Sequence, residues 1–229
     1  MNHYALLRQL HESIQPRAYL EIGTSRGASL ALAACPSVAI DPRPDLSPKV
    51  DVLGIKPWLK VYRSTSDDFF ASHEPASTLD GLPLDLAFID GMHRIENVIR
   101  DVVNCERWSH SGGILAIHDV LPQAPDWASR EPRPRNWTGD VWRVVPCLRR
   151  HRPDLDLTLL DAAPSGMLIV RNLDAGNRVL LDRLPEILAG YLDDPRPYQS
   201  QVEEFLAGEH PRSTETWAPA PAADSAQRG

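Results

Sequence analysis

The sequence has few cysteines, no long hydrophobic run and no N-terminal segment of the charged-then-apolar kind that directs secretion. Its three cysteines, Cys35, Cys105 and Cys147, are odd in number and widely spaced, which argues against a disulfide framework and a CxxC metal site. No apolar run approaches the roughly 18 residues that a membrane span requires. These absences predict a cytoplasmic protein with no membrane partner.

Two nucleotide-binding motifs are also absent. No Gly-Lys-Ser/Thr of a Walker A loop occurs, and the turn after the first apolar strand reads Gly23-Thr-Ser-Arg-Gly27 in place of GxGxxG. Side chains therefore stand where the dinucleotide motif needs bare backbone against a pyrophosphate, which disfavours NAD or FAD. A Gly-x-x-x-Gly turn instead admits a compact ligand that meets small side chains and backbone amides.

The composition is that of a globular, acidic chain. The 229 residues include 24 basic and 31 acidic side chains, a net charge of −7, which argues against nucleic acid or an anionic membrane as the main partner. Hydrophobic residues make up 42% and charged residues 24%, as in ordinary folded proteins. Proline, at 21 residues, has about twice its usual share, and it is concentrated in a loop at 121–138 and toward the C-terminus.

The order of apolar segments predicts an α/β fold, because strands and helices alternate as in parallel βαβ units. Strands are expected at 18–22, 38–40, 59–62, 84–89, 114–117, 155–160 and 167–170, and helices at 2–14, 28–34, 95–108, 140–151, 174–192 and 196–207. Only six residues separate the last two strands, too few for a crossover helix, so they should form an antiparallel hairpin. We therefore expect a doubly wound, mostly parallel seven-stranded sheet with an antiparallel last strand.

One domain is predicted over residues 1–210, with its sheet core at 18–171 and C-terminal helices at 174–207. Residues 211–229 have little to bury and are expected to form a disordered tail. The apolar face of the 174–207 helices suits contact with a second copy of the chain. In the 121–138 loop and just beyond it, Trp127, Trp137 and Trp142 either form a wall for a substrate or only pack the loop down.

Polar residues follow every one of the first five predicted strands. Ligand-binding groups gather at the carboxyl ends of the strands in such sheets, and here those ends hold Glu21 to Gly27, Asp41, Ser64 to Asp67, Asp90 to His93, and His118-Asp119. Asp41, at the end of the second strand, is suited to accepting both hydroxyls of a ribose. The alternative is that it only forms a turn before Pro42.

This pattern resembles the class I S-adenosylmethionine-dependent methyltransferases, over roughly residues 15–172. The resemblance rests on Leu20 to Ser29, Ala39-Ile-Asp41, Phe88 to His93, Gly112 to Asp119 and the closing hairpin. It implies a Rossmann-like methyltransferase fold with S-adenosylmethionine as cofactor. Within the class, the stretch from Ile89 to His93 and the His118-Asp119 pair are similar to the metal-assisted, macrocin-type sugar O-methyltransferases of macrolide biosynthesis and their relatives.

The resemblance also implies roles for individual residues. The methionine end of the cofactor would lie by Glu21, Gly23, Thr24, Ser25 and Gly27, with Ser29 nearby. The ribose would bind Asp41, and the adenine would lie by Ser66 and Asp67. Asp90 would also lie beside the cofactor. Asp90 and Asp119 would be carboxylate ligands of a divalent ion, and His93 would be the general base.

The chemistry of these residue types agrees with the implied roles. Methyl transfer to a hydroxyl requires a base, and the ordinary pKa of histidine suits His93 for it; the alternative is that His93 caps the helix that follows. Carboxylate ligands suit Mg2+. The resembled sugar enzymes tend to have two acids after the fifth strand, whereas this chain has His118 before Asp119. If His118 is a third ligand, the site suits Mn2+, Fe2+ or Zn2+ as well.

The sequence thus predicts an O-methyltransferase of secondary metabolism that acts on a small hydroxylated molecule with a divalent ion, Mg2+ before others. Two alternatives stay open. One is a metal-dependent, hydroxylase-like enzyme on the same fold, and the other is a non-catalytic partner subunit that keeps the cofactor fold.

Overall fold

The computed structural model describes residues 1–219, which are built around one seven-stranded sheet. The strands are β1 (Tyr19–Ile22), β2 (Ser37–Ile40), β3 (Leu59–Tyr62), β4 (Leu84–Ile89), β5 (Ser109–His118), β6 (Asp156–Leu160) and β7 (Met167–Arg171). Their order across the sheet is β3-β2-β1-β4-β5-β7-β6. The first five strands are parallel, and β7 is antiparallel to both β5 and β6, as the sequence predicts.

Helices cover both faces of the sheet. They are α1 (His3–Ile14), α2 (Ser66–Ser72), α3 (Pro75–Thr78), α4 (Ile95–Trp108), α5 (Val144–His151), α6 (Val179–Asp182), α7 (Leu184–Leu192) and α8 (Tyr198–Gly208), with 3-10 turns at Leu30–Leu32, Pro125–Ala128 and Val141–Arg143. No helix in residues 1–219 is both long enough and apolar enough to cross a membrane.

The central strands are buried on both faces, which explains why they read as continuous apolar runs. Every residue of β1, β2 and β4 is buried. Alternate residues of β1 enter different clusters of the core: Leu20 and Ile22 pack with α4 on one face, and Tyr19 packs with α1 on the other. The alternation follows from the two-residue period of a strand.

The register of the parallel strands brings their carboxyl ends together. Ile22 lies opposite both Ile40 and Ile89, and Ile89 lies opposite Ile117. The polar residues that follow these four isoleucines therefore leave the sheet at one edge, and this edge holds the candidate site.

Two predicted helices differ from the structure, and two further helices were not predicted. Residues 28–34 form only the 3-10 turn at Leu30–Leu32; a 3-10 turn rises about 2.0 Å per residue against 1.5 Å in an α-helix, so it spans the short return to β2 in fewer residues. The predicted helix over 174–192 is two helices, α6 and α7, because Pro185 lies in the first turn of α7 and cannot continue α6. The sequence analysis missed α2 and α3 altogether.

The predicted disordered tail needs a correction at its start. The backbone N–H of Arg212 donates to the carbonyl of Leu159, and that of Asp161 donates to the carbonyl of Arg212. Thr214 is buried and accepts a hydrogen bond from the N-terminal amine of Met1. Because these backbone bonds extend the edge strand β6, residues 211–217 are held against the sheet. The rest of the predicted tail, from residue 220, lies outside the described residues.

Candidate active site

A cavity of about 370 Å³ opens at the carboxyl edge of the sheet. Among its lining residues are Gly23 after β1, Asp41 after β2, Ser66 and Asp67 at the start of α2, and Gly91 after β4. A volume of this size is in the range of small-molecule sites. Four of the ten residues predicted to bind the cofactor thus line one cavity.

Gly23 has a steric reason to be glycine. Its φ is +86°, and a Cβ atom at this position would lie 2.0 Å from the carbonyl oxygen of Asp90. The turn after β1 and the turn after β4 therefore touch backbone to backbone, which only glycine permits. This contact joins the cavity to the residues that follow Asp90.

Asp41 is held in position by two backbone amides. Its Oδ2 accepts from the N–H of Ser25 at 2.8 Å, and its Oδ1 accepts from the N–H of Arg43 at 2.7 Å. The second bond is the local turn that was the alternative explanation for this residue. The turn and a ligand-binding role are compatible, because each carboxylate oxygen accepts more than one hydrogen bond.

Glu21 lies beneath the site, outside the cavity lining. It is fully buried, and it accepts hydrogen bonds from Tyr19 Oη at 2.6 Å and from Ser29 Oγ at 3.0 Å. Burial raises the pKa of Glu21 to about 8, against the opposing effect of these two hydrogen bonds. Glu21 and Ser29 therefore fasten the turn after β1 to the strand. Because these side chains bind each other and do not line the cavity, we expect them to act on the cofactor through the position of the turn.

The rest of the glycine turn has mixed surroundings. Ser25 has a positive φ of 46° and is exposed. Thr24 is buried, and its Oγ1 has no hydrogen-bond partner. A Cβ at Gly27 would lie 2.4 Å from Val52 Cγ1, so this glycine makes room for the loop that follows β2. The hydroxyl of Thr24 is therefore available to hydrogen-bond with a ligand.

A second group of side chains follows β4 and β5. The Oδ1 of Asp90 lies 3.2 Å from His93 Nε2 and 3.2 Å from His118 Nδ1. Asp119 reaches the same two rings, with His93 Nδ1 at 3.3 Å from Oδ2 and His118 Nδ1 at 3.4 Å from Oδ1. All four residues singled out from the sequence as base or metal ligands thus form one cluster. We call it the acid–histidine cluster.

The backbone of this cluster is strained at two positions. His93 has a φ of +53° and Asp119 a φ of +63°, in the left-handed region that side chains other than glycine and asparagine rarely adopt. Such conformations persist only where the surroundings impose them, and they are concentrated at functional sites. At Asp119 the side chain is fixed by the hydroxyl of Ser165, which donates to its Oδ1.

Opposing effects determine the charges of the cluster. Burial alone raises the pKa of Asp90, but His118 and His93 lower it well below its usual range. Burial lowers the pKa of His93, whereas the hydrogen bond that its ring donates to Asp90 and the charges of Asp90 and Asp119 raise it to about 9. The pKa of His118 is raised as well, because the same two carboxylates outweigh its burial. The cluster therefore stabilises positive charge between its carboxylates.

The same geometry suits a cation. One ligand atom from each of Asp90, His93 and Asp119 lies within 4.8 Å of the others. The predicted ligands are Asp90, His118 and Asp119. The set in the structure has the imidazole of His93, which follows β4, in place of that of His118, the last residue of β5. His118 stays beside the set, with its Nδ1 toward both carboxylates. A site made of carboxylates alone favours Mg2+. A site with two carboxylates and one imidazole can also bind Mn2+, Fe2+ or Zn2+.

The N-terminal helix contributes side chains that were not predicted to lie near the site. His3 lies against His118, with ring centroids 4.3 Å apart, and Tyr4 lies against His3 at 3.9 Å. The start of α1 is held there by the bond from the N–H of His3 to the carbonyl of Ala163. No local pattern marks this contact, since it joins the first residues of the chain to the turn between β6 and β7.

The 121–138 loop is fastened to the turn that carries His93. The carbonyl of Trp137 lies 3.3 Å from His93 Nδ1, and the rings of these two residues stack at 5.0 Å. The N–H of Asp140 donates to the carbonyl of His93, and its buried carboxylate accepts from the N–H of Ile95 at 2.8 Å. Arg130 joins this carboxylate to that of Glu96. The loop therefore holds His93 in place.

Two of the three tryptophans named in the sequence analysis pack the loop against the rest of the structure. Trp142 is buried and packs against Phe205 and Tyr198 of α8. Trp137 uses one face against His93, and its indole N–H donates to the carbonyl of Ser129 at 2.6 Å. Trp137 and Trp142 thus pack the loop down. Trp127 is half-buried in the same loop.

A comparison with protein families agrees with this arrangement. A family model described as a methyltransferase domain matches residues 20–120, which run from β1 to the residue after Asp119. The matched residues include the lining of the cavity and all four members of the acid–histidine cluster. No curated protein matches the sequence.

Solved structures share the fold at low sequence identity. Cofactor-bound Rv0187 from MTB is 22% identical, with a TM-score of 0.55 over 74% of this chain and 78% of that one. The O-methyltransferase TomG of tomaymycin synthesis from Streptomyces achromogenes, in complex with SAM, is 18% identical, with a TM-score of 0.55 over 75% and 79%. An O-methyltransferase from Bacillus cereus with bound SAH is 16% identical, with a TM-score of 0.52 over 73% and 80%. At these identities the likeness shows the fold, a Rossmann-like α/β methyltransferase fold.

Proposed function

Since a family model described as a methyltransferase domain matches residues 20–120, we propose that this chain uses S-adenosylmethionine to methylate a hydroxyl group of a small molecule. One observation carries the proposal above the others. The backbone of Asp90 contacts Gly23 at the cavity, while its carboxylate belongs to the acid–histidine cluster. A nucleoside in the cavity would therefore place the rest of the cofactor beside the cluster. Two O-methyltransferases of similar fold have been solved with SAM or SAH bound, which supports the choice of this cofactor.

The cavity fits the nucleoside part of the cofactor. Asp41 presents a carboxylate whose position two backbone amides fix, and a fixed acceptor at this place in an α/β sheet suits a ribose. Thr24, with its buried and unpartnered hydroxyl, has a hydrogen bond to offer the methionine end. Ser66 and Asp67 line the same cavity and would lie by the base.

A divalent ion fits the acid–histidine cluster as the donor atoms stand. Asp90, Asp119 and either His93 or His118 would hold it, and we include metal assistance in the proposal. When bound, such an ion lowers the pKa of an acceptor hydroxyl and orients the oxygen. Because His93 is both a possible ligand and the proposed base, a metal held by His118 is the arrangement that leaves His93 free.

The residues of the chain then have separate tasks in a direct displacement. The acceptor oxygen forms a bond to the methyl carbon as the carbon–sulfur bond breaks, so the hydroxyl proton must leave. His93 takes that proton when its ring is neutral, a state that is favoured as pH rises toward its pKa of about 9, and the carboxylates of Asp90 and Asp119 stabilise the resulting imidazolium. Ser165 keeps Asp119 in position. The loop contacts at Trp137 keep the ring of His93 between the two carboxylates.

The finer parts of the proposal follow the sequence. A small hydroxylated substrate, sugar or other secondary metabolite, matches the resemblance to the macrocin-type enzymes. A cytoplasmic location is proposed on the three free, buried cysteines, which suit a reducing compartment. A homo-oligomer through the 174–207 helices is proposed on their apolar composition.

Titration calorimetry with S-adenosylhomocysteine tests the proposal directly. We expect one site per chain in the micromolar range or tighter. His93→Ala should retain this affinity while losing methyl transfer to any acceptor found. Titration of Mn2+ in the presence of the cofactor product, followed by electron paramagnetic resonance, tests the ion separately, with the Asp119→Asn variant as its control. Absence of S-adenosylhomocysteine binding by the wild-type chain would contradict the proposed function.

A further inference from the structure

The ring of His3 packs on the ring of His118, and the proposed reaction gives His3 no task. The two ring centroids are 4.3 Å apart, with an interplanar angle of 44°. The centroid of the Phe88 ring lies 6.2 Å from that of His118, whose surface is only 6% exposed. The imidazole of His118 is therefore enclosed by two aromatic rings, and close packing leaves it little freedom to turn.

The position of His3 is fixed by backbone contacts. Its N–H donates to the carbonyl of Ala163 at 3.0 Å, and the N–H of Ala163 donates to the carbonyl of Met1 at 3.0 Å. Asn2 forms a parallel bridge with Ala163 and caps α1, because its side chain accepts from the N–H of Ala5 at 2.9 Å. Because these contacts do not involve the ring of His3, they are retained when its side chain is replaced.

The turn between β6 and β7 supports two neighbouring members of the acid–histidine cluster, His118 and Asp119. Within this turn, Ala163 holds the backbone of His3, whose ring packs on His118. Two residues further on, the hydroxyl of Ser165 donates to Asp119 Oδ1. This half of the cluster is therefore built on one turn.

The two imidazoles of the cluster have different surroundings. Both nitrogens of His93 face an acceptor, with Asp90 at Nε2 and the carbonyl of Trp137 at Nδ1. His118 turns its Nδ1 toward the two carboxylates of the cluster and its Nε2 toward Ser165 Oγ, at 3.5 Å. Because the hydroxyl of Ser165 donates to one of these carboxylates, its oxygen is left as an acceptor for an Nε2–H of His118. This tautomer leaves the lone pair of Nδ1 beside the carboxylates, where a cation would lie.

We propose that His3 is a positioning residue that makes His118 the imidazole ligand of a divalent ion, by holding its ring toward the carboxylates. The inference rests on the metal assistance included in the proposed function. A side chain that is already oriented loses less freedom when it binds. Residues that orient a metal ligand typically change metal affinity about 10- to 100-fold when they are replaced. With His118 as the ligand, His93 stays free to act as the base.

The affinity of the full chain for Mn2+, measured by electron paramagnetic resonance in the presence of S-adenosylhomocysteine, tests the inference. His3→Ala should weaken Mn2+ binding about tenfold or more. His3→Phe keeps a ring on His118, and its affinity should stay within about threefold of the wild type, since the packing is retained. The matched control is His73→Ala, which removes a histidine that stacks on Phe69 at 4.6 Å outside the cluster. This control should leave the affinity unchanged.

A double substitution shows whether His3 acts through His118. His118→Asn replaces the imidazole by an amide oxygen, a ligand that has no ring to be held. In this background His3→Ala should weaken Mn2+ binding less than about twofold, because the two substitutions remove the same contribution. In pulsed electron paramagnetic resonance, the coupling of bound Mn2+ to an imidazole nitrogen should be present in the wild type and in His93→Ala and lost in His118→Asn. An equal loss from His3→Ala in both backgrounds would overturn the inference, as would wild-type affinity in His3→Ala.

Circular dichroism checks that the variants fold. If His3→Ala does not fold, His3→Val takes its place, because valine fills part of the space and lacks the ring. A wild type that binds S-adenosylhomocysteine and no Mn2+ would overturn the inference and leave the methyltransferase function standing. A wild type that binds neither would contradict the proposed function as well.

Discussion

Gly139 and His93 are in contact through their backbones. A Cβ atom at Gly139 would lie 1.8 Å from the carbonyl oxygen of His93, and Gly139 has a φ of +58°. Gly139 therefore requires glycine for two reasons, its conformation and its neighbour. Through this contact the end of the 121–138 loop packs against His93, the residue proposed as the base. A change in the conformation of the loop would therefore move His93 as well.

Gly139→Ala should lower the free energy of unfolding by at least about 2 kcal/mol, because the added methyl group forces the two segments apart. Denaturant titration measures this loss. The matched control is Gly190→Ala on α7, where a Cβ meets nothing within 4 Å. The control should be neutral or stabilising by about 0.5 to 1 kcal/mol, as expected for alanine in a helix. An equal effect of the two substitutions would show that the loop does not depend on this contact.

Arg130→Met should destabilise the chain by about 3 kcal/mol, because it leaves the buried carboxylate of Asp140 with only its longer ion pair, to Arg143 at 3.9 Å. Arg130 also binds Glu96, so its loss frees the loop from α4. We expect faster proteolysis within residues 121–138 as well as a lower denaturation midpoint. Arg133→Met is the control in the same loop, where an exposed pair with Asp126 contributes below about 1 kcal/mol. Similar proteolysis rates for both variants would contradict the role given to Arg130.

Asp41→Asn should weaken S-adenosylhomocysteine binding about tenfold or more, since the loss of charge weakens the acceptor offered to two ribose hydroxyls. The melting temperature should change little, because the amide oxygen can keep one of the two backbone bonds. Calorimetry measures the affinity and thermal denaturation measures the stability. Asp45→Asn, an exposed acid in the same loop, is the control. Unchanged affinity in Asp41→Asn would assign this residue to the turn alone.

Acid should destabilise the chain through His11, which is buried on α1 with no partner for either ring nitrogen. Burial lowers its pKa to about 4 in the folded state, while the unfolded chain takes up the proton near 6.5. Stability is therefore lost as pH falls from 6.5 toward 4, by about 3 kcal/mol in all.

His11→Phe removes this titration and keeps an aromatic ring against Tyr19, which His11 meets edge-on at 4.7 Å. The free energy of unfolding of the variant, measured by denaturant titration between pH 4 and 7, should decline less steeply than that of the wild type. Parallel curves for the two proteins would show that His11 is not the group responsible.

The sheet was predictable because its information is local. A strand buried on both faces is a short apolar run, as Leu84 to Ile89 is, and the six residues between the last two strands leave no topology but a hairpin. Parallel strands end at one edge, so Asp41, Asp90 and Asp119 could be placed near one another from the sequence alone. Helix lengths were not predictable in the same way: residues 28–34 have the composition of a helix, but only Leu30–Leu32 are helical, as a 3-10 turn.

By itself, then, the sequence determined the sheet, its polar edge and the residue types of the site. Tertiary structure decided which of them face a ligand and which support others. Glu21 lies beneath the cavity because Tyr19 and Ser29 bind it there. His93 joins Asp90 and Asp119 because Gly139 and Trp137 hold its turn, and His3 arrives from the other end of the chain. These contacts join segments far apart in sequence, and a one-dimensional pattern records no distance between such segments.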